Sequence, residues 1–147
     1  MTEVHWTGAE LRASREALGL SVTGLSDAVV NPTTGAPWKQ SRVSECERRV
    51  RRVPAWLPEQ LLALEQARDR LTALMVGALT GDPELALVVH ATDASLHAAH
   101  PEMTGIPACV HRVAAALAAA QVERDTGERP RIAFAEAGQA PGAPSMN

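Results

Sequence analysis

Pro37-Trp-Lys-Gln-Ser-Arg-Val-Ser-Glu-Cys-Glu-Arg-Arg-Val-Arg-Arg-Val-Pro54 is the stretch from which the rest of the chain can be read. A proline suits a first helical position, where its missing N–H has no partner to lose, so Pro37 is expected to open a helix. Val43 and Cys46 stand three residues apart and share one face. Trp38 is expected to anchor the start of the helix by packing. Lys39, Gln40, Ser41, Ser44 and Glu45 fall largely on the remaining surface. This gives a short helix with a small apolar footing and a hydrogen-bonding face. Arg48, Arg49, Arg51 and Arg52 follow, and Pro54 closes the run. Gln, Ser, Lys and Arg are the side chains that read base edges and grip phosphates. The stretch therefore reads as a DNA-recognition helix with a basic clamp behind it.

Upstream, Thr7-Gly-Ala-Glu10 has the form of a capping box, in which Thr7 accepts from the Glu10 N–H and Glu10 reaches back. The spacing predicts a helix from there to about Leu18, with Gly19 as its stop. Ser21 is expected to cap a second helix, Val22 to about Val30, with Leu25, Ala28 and Val29 inward. Residues 1–6 read as a loose leader. Asn31-Pro-Thr-Thr-Gly-Ala-Pro37 is a turn by composition. It exceeds the three or four residues usual between the helices of a helix-turn-helix. It therefore either displaces the following helix or touches DNA itself.

Downstream, Pro58 opens a helix predicted to run to about Thr80, with Leu61, Leu64, Leu71, Leu74 and Leu79 in helical period. Its second half is expected to pack against the C-terminal part of the chain. Gly81-Asp-Pro83 is a break, and the domain junction is placed there. Leu85–Val89 reads as a short valine-rich strand. Thr92 or Asp93 caps a short helix to about His100. Pro107 starts an alanine-rich helix to about Arg124, with Ile106, Val110, Val113 and Leu117 as its stripe. Residues 131–134 read as a second strand beside the first. The Gly, Ala, Pro and Ser of residues 136–147 read as a disordered tail.

The fold class expected is mostly α. A helix-turn-helix domain of four to five helices (1–80) is joined to a small α+β dimerisation region (81–135) with one or two short strands.

Charge supports the same division. The chain carries a net −3, yet Asn31 to Pro58 holds six basic and two acidic residues, 6 − 2 = +4. From Gly81 onward there are four basic and eight acidic residues, 4 − 8 = −4. A local basic patch is a better sign of nucleic-acid binding than the pI of the whole chain. Two cysteines argue against a disulfide framework. No signal peptide or membrane-length apolar run is read, so the expected location is cytoplasmic.

Cys109 and His111 with His90, His97 and His100 lack the paired spacing of zinc ligands, and positions 109 and 111 point apart on a helix. No metal, cofactor or catalytic constellation is expected, and the chain is not expected to be an enzyme.

The first eighty residues resemble the lambda-repressor-type (XRE) helix-turn-helix family. The resemblance rests on Thr7-Gly-Ala-Glu-Leu-Arg12, Leu18-Gly-Leu-Ser21, Ala28, Arg42-Val-Ser44, Glu47 and Pro54. The layout of the second half is similar to the YdiL-like group, which includes anti-CRISPR-associated autorepressors. The resemblance implies a homodimer, made through the C-terminal half, that represses its own operon on a palindromic operator.

The DNA-binding set expected is Ser21 and Thr23, at the start of helix 2, with Trp38, Lys39, Gln40, Ser41, Arg42, Ser44, Glu45, Arg48, Arg49, Arg51 and Arg52. The dimer interface expected is Leu85, Leu87, Val89, Ile106, Val110, Val113 and Leu117. Residues 81–135 are few for an independent core, and sharing it across a two-fold axis is the natural remedy. A second reading is an antitoxin whose C-terminal half grips a protein partner.

Overall fold

The computed structural model of the chain describes residues 5–136, so the tail expectation lies, apart from Glu136, outside the described residues. The protein is mostly helical. The order is α1 (Gly8–Ala17), α2 (Val22–Ala28), α3 (Gln40–Glu47), α4 (Leu57–Gly81), β1 (Leu87–Val89), α5 (Asp93–Ala99), α6 (Ala108–Thr126) and β2 (Ile132–Phe134). A 3-10 turn, Pro101–Met103, follows α5. No helix among the described residues is long and apolar enough to cross a membrane.

The caps are local consequences of sequence. Thr7 and Glu10 form the reciprocal capping box of α1, with Thr7 N–H to Glu10 Oε2 at 2.7 Å and Glu10 N–H to Thr7 Oγ1 at 3.1 Å. Gly19 follows in the left-handed region. Ser21 caps α2 and Thr92 caps α5 through their hydroxyls. Gly127, at φ 81°, ends α6.

Two compact units divide at Arg68/Asp69, inside α4. In the first unit, Leu11, Leu18, Leu25, Val29, Val43 and Leu61 are fully buried. The Trp38 and Trp56 rings meet edge to face, with centroids 5.6 Å apart. The second unit contains a two-stranded parallel sheet with Leu87 opposite Ile132 and Val89 opposite Phe134. Its core joins Leu79 of α4 to Leu87 and Val89 of β1 and to Ala115 and Ala118 of α6, with Met75, Val76 and Val122 packed around them.

Two local expectations need correction. Pro37 does not open α3. It forms an isolated antiparallel bridge with Val30, and the helix begins three residues later at Gln40. The reason is long-range. Trp38 N–H donates to the Val29 carbonyl at 3.4 Å, and the Gln60 side chain of α4 brackets Val30. Its Nε2 donates to Val30 O at 2.7 Å, and its Oε1 accepts from Val30 N–H at 3.0 Å. These bonds hold the chain extended on both sides of the turn, and α2 ends at Ala28 rather than Val30. Second, the stripe expected for α6 is displaced. The buried face is Ala108, Val110, His111, Ala114, Ala115, Ala118 and Ala119, while Leu117 is exposed. Val110 of the expected stripe is buried, but alanines make up most of the inward face and let α6 pack closely on β1, leaving Val113 half-buried and Leu117 outward.

Candidate nucleic-acid interface

Val43 and Cys46 are buried, as their spacing implies, and α3 packs on α1 and α2. Gln40 and Ser41 are exposed, Arg42, Ser44 and Glu45 are half-buried, and Arg48 is exposed. Positions 41, 44, 45 and 48 follow one another at helical spacing, so this polar strip is continuous along α3. Lys39 is the exposed N-cap residue, and no side chain caps the first turn. Asn31–Pro37 is a folded loop. The Asn31 side chain accepts from Thr33 N–H at 2.9 Å, Gly35 N–H donates to Asn31 O at 2.8 Å, and Asn31 N–H donates to Ala36 O at 2.9 Å.

Behind the strip, the chain leaves α3 through a left-handed residue that is not glycine. Arg49 has φ 66°. Its N–H donates to Cys46 O at 3.2 Å, and Val50 N–H donates to Glu45 O at 2.9 Å. This is the Schellman pattern, with arginine where glycine is favoured. The Cys46 thiol donates to Arg52 O at 3.3 Å and ties the exit back to the helix. Burial pushes that thiol pKa upward, which keeps it a neutral donor.

The arginines have different fates. Arg51 Nε donates to Glu45 Oε2 at 2.8 Å, and that hydrogen bond holds the Glu45 carboxyl below its ordinary pKa. Arg42 lies 3.8 Å from the same carboxylate. Arg48 Nε makes a long 3.4 Å contact to Ser44 O. Among the described residues, Arg49 and Arg52 have no ion-pair partner. Arg49, Arg51 and Arg52 line a groove of about 920 Å3 whose other wall is Trp6, Thr7 and Gly8 at the start of α1.

The other residues expected to touch DNA or a second protomer divide between surface and core. Ser21 is exposed, and its hydroxyl accepts from Gly24 N–H at 2.9 Å as the α2 cap; Thr23 is exposed. Trp38 is 6% exposed and packs on Trp56, with its carbonyl accepting from the Ser26 hydroxyl. It is a core residue rather than a surface contact. In the second unit, Leu87, Val89 and Val110 are buried within the chain itself, Ile106 and Val113 are half-buried, and Leu85 and Leu117 are exposed.

Two features of the site have no counterpart in the sequence pattern. The Arg15 side chain of α1 grips Glu47 at the end of α3, and nothing in either local stretch signals that pairing. Gly8 lies against the last turn of α3. A Cβ there would overlap the Cys46 carbonyl oxygen and sit 3.1 Å from Glu47 O. Among the described residues, no three His, Cys, Asp or Glu side chains are set to hold a metal ion. No family model and no curated protein matches the chain.

Proposed function

We propose that the chain is a sequence-specific DNA-binding repressor of the helix-turn-helix class, with α3 entering the major groove. The observation that carries this reading is the polar face of Gln40, Ser41 and half-buried Ser44, followed by Arg49 and Arg52, which have no ion-pair partner among the described residues. Amide and hydroxyl groups supply the donors and acceptors that base edges require, and the guanidiniums supply phosphate contacts. The uncapped first turn adds the positive end of the helix dipole. Arg51 contributes less to this field, because Glu45 holds it. Repression would act by occluding a promoter, without a cofactor.

We also infer a homodimer built through the second unit. Leu85, Val88, Leu117, Ile132 and Phe134 of that unit are exposed, with Phe134 at 64%. A two-fold dimer would cover such a surface and match a palindromic operator. Sedimentation equilibrium of the full chain should give a dimer at micromolar concentration, and Phe134→Glu should shift it toward monomer. A monomer in the unaltered protein overturns the dimer.

Footprinting on the DNA upstream of the chain's own gene tests the main reading. Protection of an inverted repeat supports it. Equal, weak affinity for that DNA and for unrelated duplex removes it.

A further inference from the structure

His90, His100 and His111 come together from three segments of the second unit. His90 directly follows β1, His100 is the C-cap of α5, and His111 lies in the first turn of α6. The His90 and His100 rings meet edge to face at 5.9 Å, His90 and His111 lie 6.2 Å apart, and His100 stacks on His111 at 6.5 Å and 28°. His90 and His111 are each 4% exposed. The Nδ1 of His111 is buried without a hydrogen-bond partner. The cluster takes no part in the proposed DNA contacts.

The charged and titratable groups around the cluster are distributed unequally. From α6, Arg112 Nη1 donates to His90 O at 2.6 Å, placing a fixed positive charge beside His90. From α5, Ser95 Oγ lies 2.8 Å from His90 Nδ1, Asp93 Oδ1 accepts from Ala108 N–H at 2.7 Å, and His97 Nε2 lies 2.8 Å from Ile106 O. From the 3-10 turn, Glu102 Oε1 lies 3.3 Å from His100 Nδ1 at the exposed end of the cluster. Cys109, beside these groups on α6, has its thiol pKa raised by burial. Among the described residues, the one carboxylate bonded to the cluster faces its solvent side, while the buried side faces an arginine and other imidazoles.

We propose that this triad is an acid-triggered release built into the second unit, which stays closed while His90 and His111 are neutral and opens when they take up protons. Two buried imidazoliums would face each other, His100 and Arg112 at close range, and opening gives each access to water. The electrostatics agree. Desolvation, then the charge of His100, lowers the His90 pKa; desolvation, then His90, His100 and Arg112, lowers that of His111. For a histidine whose native pKa is depressed, the stabilisation is whole above the unfolded value of about 6.5 and is lost as pH falls from there through the native value. The first unit contains no part of the triad.

The protein carries its own reporter for this division. Trp6, Trp38 and Trp56 are its three tryptophans, and all lie in the first unit. The test is urea unfolding of the full chain between pH 8 and pH 5, followed in parallel by far-UV circular dichroism and tryptophan emission. Two histidines whose native pKa values are lowered should make the unfolding constant of the second unit rise as pH falls below about 6.5, with a limiting slope of about 100-fold per pH unit for two sites that stay neutral when native. The circular dichroism should lose helix in a transition that the tryptophans do not follow. His111→Gln should make the dependence shallower, with a limiting slope of about tenfold per unit for the one site left. If that variant does not fold, His100→Asn serves instead: it removes the exposed neighbour and should move the transition to lower pH. A second-unit transition with a pH-independent midpoint overturns the proposal, as does tryptophan emission that follows the helix loss at every pH. So does a transition abolished by equimolar Zn2+ and restored by chelator, which would make the cluster a metal site.

Discussion

Arg15 and Glu47 form a two-pronged ion pair across the first unit, with Nε to Oε2 at 2.9 Å and Nη2 to Oε1 at 2.8 Å, and side chains only 11% and 9% exposed. The remaining Arg15 nitrogen, Nη1, donates to Leu20 O at 2.9 Å. The pair ties α1 to the end of α3 and fixes where the arginine-rich exit begins. Removing one partner of such a pair strands a buried charge and should cost roughly 3–5 kcal/mol. Glu47→Gln and Arg15→Met are each expected to lose stability on that scale in urea unfolding read by tryptophan emission. The double change Arg15→Met/Glu47→Leu should recover much of it. A single change costing under about 1 kcal/mol would place the pair among ordinary surface bridges.

Gly8→Ala should destabilise the first unit even though alanine is the better helix former. The added Cβ meets backbone, the carbonyls of Cys46 and Glu47, which cannot swing aside. Overpacking of this kind costs about 1–3 kcal/mol. Gly77→Ala is the control: it is a helical glycine of α4 with nothing within 4 Å of the added atom. That substitution should stabilise by about 0.5–1 kcal/mol. Equal effects at the two positions would contradict the close approach at Gly8.

Arg49→Gly should separate stability from binding. The left-handed backbone at φ 66° suits glycine, so the fold should gain about 0.5–1 kcal/mol. The same change removes a cation that has no ion-pair partner among the described residues, so DNA affinity should fall for all sequences alike, and the salt slope should drop by about one. Arg52→Ala should reproduce the binding loss without the stability gain. Chemical denaturation and fluorescence anisotropy across salt concentrations check both. Unchanged DNA affinity in both variants would reduce these arginines to a solvated charge run.

Gln40→Ala should change which sequence is preferred. Gln40 is the first residue of α3 and is exposed. A glutamine amide pairs with the N6 and N7 of adenine and gives about 1–3 kcal/mol of discrimination. On a panel of single-base operator variants, the mutant should lose discrimination at one position in each half-site. A uniform loss across the panel would show that Gln40 only positions the helix.

Features that depend on neighbours within a turn or two were already specified in the sequence. Thr7 and Glu10, Ser21 and Thr92 set their helix starts, because a cap is a hydrogen bond closed over three or four residues. Val43 and Cys46 were legible as one buried face for the same reason, and the short strands were legible from their valine-rich and apolar runs. Long-range packing settled the rest. Arg15 finds Glu47 across 32 positions, and Gln60 finds Val30 across 30; that second pairing turned Pro37 from an expected helix start into a bridge residue. On α6, periodicity gave the helix but not its inward side, because alanine packs more closely than the larger Val113 and Leu117. Likewise, three histidines at positions 90, 100 and 111 carry no common spacing. They became a cluster only when β1, α5 and α6 were folded against one another, because contacts between distant segments are set by packing and not by the local chain.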